Sequence, residues 1–230
     1  HWLVNDDVSF DGLHCHDHMT GLIPFFTKHT KAYSSLSELP VFFTIHNGQY
    51  RGYIEWADLA LLPVFDKDKK GILDWDDKIH SLATAIKCAW KVNTVSPSYM
   101  EELKQNANGL ESLLSHESAK CVGILNGIDW GVWNPETDKY IVKKFTTETR
   151  ISGRKENKKW LCKEFNLDEG KPLFAFIGRL VLEKGADLFP EIFKQALQEN
   201  DISILLLGSG DKEIERKLAE LKDIENFNAY

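Results

Sequence analysis

The sequence predicts an α/β fold built on parallel β-sheets. Short apolar runs rich in β-branched and aromatic residues alternate with segments whose apolar residues recur at helical spacing, as they do in successive βαβ units. A glycine or an Asn-Gly pair closely follows each of these apolar runs, and such residues punctuate a chain where strands end. The predicted strands are residues 41–45, 121–125, 173–177 and 202–207.

Four helices are predicted between and after these strands. One is residues 78–90, whose apolar side chains share a helical face. Another follows Ser96-Pro97, because a capping serine before a proline at the first helical position is a start signal, and it runs to about residue 105. The last two begin after Gly185 and after Gly210.

Residues 129–157 interrupt this alternation, because they show no strong apolar period and contain Asn134-Pro135. They are therefore predicted to connect two domains. Residues 1–128 are the later part of a first parallel-sheet domain, and residues 158–230 are the start of a second. The chain opens on His1 without an initiator methionine and stops without a closing strand, so we expect it to be a piece of a longer protein.

Composition excludes several classes of protein. The 230 residues are 43% hydrophobic and 27% charged, which is typical of a folded globular chain. A net charge of −7 disfavours nucleic acid or an anionic membrane as the main partner, and no apolar run approaches the roughly 20 residues that span a bilayer. The four cysteines lie far apart without a CxxC pair, which indicates neither a zinc knuckle nor a disulfide framework, and favours a reducing cytoplasm.

Ligands of open parallel sheets bind at the carboxyl ends of the strands, so polar residues there are candidate site residues. The run His14-Cys15-His16-Asp17-His18 places alternate histidines on one face of a strand and Asp17 and His18 on the turn that follows. Three alternating histidines on one strand enclose an ion poorly, which disfavours a metal site. Two interpretations stay open: a histidine cluster at the core edge, and a strand end that binds a sugar or phosphate.

Two further strand ends of the first domain carry polar residues. His46 and Asn47 follow residues 41–45, where an ordinary Asn-Gly turn explains them about as well as a ligand does. Asn126 belongs to an Asn-Gly turn that leaves a buried strand and enters the predicted connection. Its position towards the second domain makes a functional role and a structural role equally good explanations.

The most specific candidate site follows residues 173–177. Gly178 ends that strand, and Arg179 and Lys184 lie on the loop before the next predicted helix. An arginine fork and a lysine point charge near a helix N-terminus suit a diphosphate, whereas the alternative is a solvated pair of surface charges. Gly208-Ser209-Gly210 lacks the third glycine of a dinucleotide fingerprint, so Gly208 predicts a turn that admits a nucleotide rather than an NAD site.

These motifs, in this order, resemble those of the bacterial glycogen synthases and the related starch synthases. The resemblance covers nearly the whole chain, and the combination of NGID-x-x-x-WNP with GRL-x-x-x-KG is highly specific. The matching blocks are HCHDHMTGLIPFF (14–26), TIHNGQYRGY (44–53), KVNTVSPSYMEEL (91–103), GILNGIDWGVWNPETD (123–138), PLFAFIGRLVLEKGADL (172–188) and LLLGSGD (205–211).

The resemblance implies a GT-B architecture of two Rossmann-like domains, both incomplete in this chain. It also implies transfer of glucose from ADP-glucose to the non-reducing end of an α-1,4-glucan such as glycogen, with retention of configuration and without a metal or other cofactor. Arg179 and Lys184 match the basic pair on the donor diphosphate, and Asn126 matches the asparagine that faces the reacting sugar. Two family motifs lie outside the chain, so we expect no turnover by these 230 residues alone.

The histidine motif departs from the family pattern, which usually reads HDWH. Met19 stands where the second histidine of that motif is expected, and His18 stands in place of the tryptophan. A thioether does not donate hydrogen bonds and accepts them poorly, so either His18 makes the sugar contact after a local shift or the contact is lost. Two alternatives therefore stay open: a GT-B transferase that uses UDP-glucose or another acceptor, and a non-catalytic protein that binds glucan or nucleotide. An NAD oxidoreductase is a more distant one.

Overall fold

A computed structural model of the chain describes residues 9–199 and 201–229. The polypeptide divides into two compact units, His1–Gly127 and Ile128–Tyr230. Both contain a parallel β-sheet, which confirms the predicted α/β class. The terminal residues His1 and Tyr230 lie outside the described residues.

The first unit contains short strands and helices in alternation. Its strands are β1 (Leu13–His16), β2 (Val41–Ile45), β3 (Tyr53–Ile54), β4 (Asp74–Trp75), β5 (Lys78–His80), β6 (Lys91–Thr94) and β7 (Cys121–Gly123). Its α-helices are α1 (Ile23–His29), α2 (Lys70–Leu73), α3 (Ser81–Cys88), α4 (Pro97–Gln105) and α5 (Glu111–His116).

The main sheet of this unit is parallel and has the strand order β1-β2-β6-β7. In its register His16 lies beside Thr44, and Thr44 lies beside Asn93. The order places the carboxyl ends of β1, β2 and β6 next to one another along one edge. The strand predicted at 41–45 is confirmed at both ends, whereas the one predicted at 121–125 ends at Gly123.

The helix predicted over residues 78–90 is wrong at both ends. Lys78–His80 forms strand β5, which pairs with β3 and β4 in a small antiparallel sheet. Helix α3 begins only at Ser81, because His80 has an extended backbone and its Nδ1 accepts the N–H of Ala83 as an N-cap. The helix predicted from Pro97 is confirmed, and Ser96 Oγ accepts the Tyr99 N–H at 3.0 Å.

The core of the first unit lies on one face of the main sheet. Phe43 and Ile45 of β2 are fully buried there against Leu82 and Ile86 of α3. The residues that alternate with them point to the other face, where Phe42 is exposed and His14, His16 and Thr44 lie. Alternation along β1 and β2 therefore separates a packed apolar face from a polar face.

Among its described residues, 128–199 and 201–229, the second unit contains three parallel strands in the order β10-β9-β8. The strands are β8 (Leu173–Ile177), β9 (Ser203–Leu207) and β10 (Phe227–Ala229), and the helices are α6 (Arg150–Glu164), α7 (Phe189–Glu199) and α8 (Lys212–Ala219). Its buried core includes Leu180, Leu197, Ile204 and Leu218. The strand predicted at 173–177 is confirmed and the one predicted at 202–207 begins at Ser203, whereas β10 corrects the expectation that the chain stops without a closing strand. The helices after Gly185 and Gly210 are confirmed, and Asp211 caps α8 through the N–H groups of Glu213 and Ile214.

Helix α6 overlaps the segment predicted to connect the domains, residues 129–157, and takes up its last eight residues. The sequence did not predict this helix from an apolar period, because only Gly153 and Cys162 are buried along its 15 residues. Phe145 explains one of these: a Cβ on Gly153 would lie 2.4 Å from the Cβ of Phe145. A connecting role for residues 129–149 stays a prediction.

Candidate functional site

Each unit places its predicted site residues after the carboxyl ends of parallel strands. In the first unit Asp17 follows β1, His46 and Asn47 follow β2, and Asn126 lies three residues beyond β7. In the second unit Gly178 follows β8 and Gly208 follows β9. This is the edge of an open parallel sheet at which ligands bind.

Asp17 joins the ends of β1 and β2. Its Oδ1 accepts the backbone N–H of His46 at 2.8 Å and that of Asn47 at 3.4 Å, and its own N–H donates to Thr44 O at 3.0 Å. Its backbone has φ 55° and ψ 179°, a combination that residues other than glycine rarely adopt, so the hydrogen bonds around it hold a strained backbone. Asp17 was predicted to bind substrate, and the structure uses one of its carboxylate oxygens to hold the loop that carries His46.

His14, His16 and His46 form a row of imidazoles on the polar face. The rings of His14 and His16 have centroids 4.2 Å apart, and those of His16 and His46 lie edge to edge, with centroids 5.2 Å apart and an interplanar angle of 24°. His16 Nδ1 lies 3.0 Å from His46 Nε2. The sequence indicated His16, within the run of alternating histidines, and His46 as separate candidates, but it did not predict that their side chains form a pair.

A chain of side-chain hydrogen bonds runs from His14 on β1 through Thr44 on β2 to Asn93 on β6. The hydroxyl of Thr44 donates to Asn93 Oδ1 at 2.8 Å, so its single proton is used there and His14 Nε2 at 2.7 Å is the donor to Thr44. Burial lowers the pKa of His14, and the nearby imidazoles of His16 and His46 lower it further. This chain was not predicted, because it depends on the register of three strands.

His18 and Met19 lie on a single 3-10 turn, His18–Thr20. The His18 side chain packs on the following loop: a Cβ on Gly52, which has φ 67°, would lie 2.8 Å from the His18 Cβ. Its Nδ1 is buried and has no hydrogen-bond partner among the described residues. Met19 is 75% exposed. The two side chains therefore occupy different surroundings, and a substitution at Met19 need not disturb His18.

Backbone contacts between two loops define the strand-end region of the second unit. Gly178 N–H donates to Leu207 O at 3.0 Å, and Leu180 N–H donates to Ser209 O at 2.9 Å. A Cβ on Gly208 would lie 2.3 Å from the carbonyl oxygen of Gly178, so glycine is required at 208. The glycine pattern that predicted a turn is thus explained first by the close approach of these two chains.

Arg179 and Lys184 both lie exposed beside these loops. Lys184 ends a one-turn 3-10 helix that stops at Gly185, whose φ is 66°. A second 3-10 turn, Ala186–Leu188, lies before α7, which begins at Phe189. Arg179 and Lys184 are therefore farther along the chain from the helix N-terminus than predicted, since the helix was expected to begin directly after Gly185. Asn126 is likewise exposed in the first unit.

Two other properties bear on the type of site. Within residues 9–199 and 201–229, no group of three or more His, Cys, Asp or Glu side chains is arranged to hold a metal ion. Across the same residues, none of the helices has the length and apolar character needed to cross a membrane.

The chain has the fold of the GT-B class of α/β proteins, with parallel sheets, glycine-lined strand ends and exposed cations beside them. A solved structure supports this assignment of the fold. The catalytic domain of starch synthase IV from Arabidopsis thaliana, bound to ADP and acarbose, matches with a TM-score of 0.85 and 29% identity. The match covers 99% of this chain and 49% of that one.

The chain belongs to the starch synthase catalytic domain family, whose model matches residues 1–116. It is 46% identical over its whole length to the glycogen synthase of Flavobacterium johnsoniae, of which it covers 49%. It is also 36% identical to the glycogen synthase of Streptococcus sanguinis, over 91% of this chain and 45% of that protein. The chain thus spans about half the length of the curated relatives that it matches, and the resemblance seen in the motifs is confirmed.

Proposed function

We propose that the chain is part of a glycogen synthase, a retaining glycosyltransferase that moves glucose from ADP-glucose to the non-reducing end of an α-1,4-glucan. The observation that carries this proposal is the family membership, together with two exposed cations at glycine-lined strand ends. The Arabidopsis neighbour, bound to ADP and acarbose, supports a nucleotide and a glucan as the ligands. We further propose that the protein acts in the cytoplasm and needs no metal or other cofactor.

Arg179 and Lys184 would bind the donor diphosphate. Both side chains are exposed and neither makes a hydrogen bond or ion pair with another described side chain, so both charges are available to an anion. The negative charge on the leaving nucleotide increases in the transition state. Two positioned cations stabilise it there without a nucleophile or an acid.

The residues of the first unit would contact the sugar. His46 and Asn47 follow β2 on a loop whose backbone the Asp17 carboxylate holds, so their side chains start from a fixed position. Asn126 and His18 are the further candidates, and the buried unpaired Nδ1 of His18 is a polar atom still without a described partner. Gly178 and Gly208 would let the nucleotide approach the main chain.

The test is glucose transfer to glycogen by the complete protein that contains this chain, with ADP-glucose and UDP-glucose compared as donors. We expect transfer from ADP-glucose that falls about a hundredfold or more in Lys184→Ala, because one positioned donor to a developing charge is worth that much. Lys194→Ala, which removes an exposed lysine from α7, is the matched control and should leave the rate unchanged.

Two alternatives have distinct outcomes in the same assay. A preference for UDP-glucose would identify a related transferase with a different donor. Absence of transfer from either donor, by a folded protein that still binds ADP, would favour a non-catalytic nucleotide- or glucan-binding protein. The feature that favours this second alternative is Met19, which replaces the imidazole usual in the family.

A further inference from the structure

His16 and His46 are held together at the ends of two neighbouring parallel strands. The Nδ1 atom of His16 lies 3.0 Å from the Nε2 atom of His46, and the two rings lie edge to edge and within 24° of one plane, as an in-plane hydrogen bond requires. In the register of the sheet His16 lies beside Thr44, so His46 is displaced from it by two residues along the same face. The pair is thus a direct product of strand register.

The backbone on both sides of this pair is also fixed. Asp17 Oδ1 accepts the His46 N–H at 2.8 Å. The Thr20 hydroxyl lies 2.7 Å from both the N and the O of His16 and so closes the turn after β1. With both main chains held, the remaining freedom of His46 is the orientation of its ring, and His16 is the side chain that restrains it.

A hydrogen bond between two neutral imidazoles needs one N–H and one bare nitrogen. If His16 donates from Nδ1, then His46 Nε2 is the bare nitrogen and its proton resides on Nδ1. The Nδ1–H of His46 is then the group left to a ligand, and it donates to an oxygen such as a hydroxyl or a phosphate oxygen. If His46 donates instead, its Nδ1 is an acceptor, which repels an unprotonated phosphate oxygen and binds a hydroxyl only by accepting its proton.

We propose that His16 is a positioning residue, which orients the ring of His46 and keeps its proton on Nδ1, ready to donate to an oxygen of the ligand. The arrangement of the pair stands on its geometry alone. That the ligand is a nucleotide sugar rests on the proposed function.

Histidine ring ¹⁵N spectra of the complete protein that contains this chain, recorded well above the ordinary histidine pKa, report the tautomer directly. We expect His46 to carry its proton on Nδ1 in the natural sequence, and to show the tautomer mixture of a free histidine in His16→Leu. His16→Asn restores an amide donor near the position of the lost Nδ1, and so should restore the original His46 spectrum. His116→Asn, at the exposed end of α5, is the control for losing a histidine elsewhere.

A His46 spectrum unchanged in a folded His16→Leu chain would overturn the proposal. If that variant does not fold, the natural chain still decides, since a His46 proton found on Nε2 contradicts the inference. In the complete protein we expect His16→Leu to raise the KM for the donor about tenfold, the effect of one misdirected hydrogen bond, and His16→Asn to recover most of it. A confirmed tautomer with no response of His46 to added ADP-glucose would instead count against the proposed function.

Discussion

The carboxylate of Asp17 and the backbone N–H of His46 are joined by a 2.8 Å hydrogen bond, which ties the end of β1 to the loop after β2. The two residues are 29 apart in sequence, and parallel strand pairing brings them together. Asp17, which was predicted to bind substrate, therefore also has a structural role, because its Oδ1 atom holds the loop after β2.

Asp17→Ala should lower the free energy of unfolding by about 2–3 kcal/mol, because it removes a charged acceptor and places alanine at φ 55°. Asp17→Asn is the matched control, because it keeps an oxygen acceptor on the same backbone, so it should cost about 1 kcal/mol. Urea unfolding of the two variants measures the difference. Equal costs would show that the bond between Asp17 and His46 contributes nothing to stability.

His80 should make stability depend on pH. Burial lowers the pKa of this ring to about 4 from 6.5, and the charges of Arg51 and Lys87 act in the same direction. The unfolded chain then binds a proton that the folded chain does not, so stability is complete above pH 6.5 and falls as the pH drops towards 4. The loss should approach about 3 kcal/mol, since a difference of one between the folded and unfolded pKa corresponds to about 1.4 kcal/mol.

The control for this prediction is His80→Asn, because asparagine also accepts a hydrogen bond as an N-cap but does not titrate. Unfolding free energies measured at several pH values should lose most of their slope between pH 6.5 and 4 in this variant. A slope equal to that of the natural chain would show that other groups are responsible.

Gly123 should tolerate no side chain. A Cβ there would lie 2.2 Å from the carbonyl oxygen of Ser96 and 2.3 Å from the backbone of Pro97, where α4 begins. Moving the backbone of a capped helix is costly, so Gly123→Ala should destabilise the chain by about 1–3 kcal/mol. At Gly71, in α2, a Cβ would meet nothing within 4 Å, and Gly71→Ala should leave stability unchanged or raise it by up to about 1 kcal/mol. Thermal unfolding compares them, and equal midpoints would contradict the packing at β7.

Met19→His should be neutral for folding. The side chain is 75% exposed, so the expected change in unfolding free energy is within about 0.5 kcal/mol. Met100, which is 2% exposed in α4, is the contrasting position, and Met100→His should cost about 3 kcal/mol or more through a buried polar ring. Chemical denaturation measures both. A destabilised Met19→His chain would mean that this turn packs more closely than the structure shows.

Local signals predicted much of the secondary structure. The serine–proline pair at 96–97 predicted helix α4, since a capping hydroxyl and a fixed φ act within one turn of the chain. Apolar runs likewise predicted β2 and β8 with their observed bounds. Local signals failed at residues 78–80, where pairing with β3 and β4 overrode a helical pattern, and at α6, whose polar surface carries no apolar period.

The candidate site divides in the same way. The motifs alone identified the family and the strand ends at which Asp17, His46 and Arg179 lie, because residue type and spacing are written along the chain. The sequence did not predict which side chains meet at the site, because the contacting residues lie on separate strands or loops. Examples are the His16–His46 pair, the Thr44–Asn93 hydrogen bond and the contact of Gly208 with Gly178. Such contacts depend on register, which is decided only when the sheets assemble and bury one face of each strand.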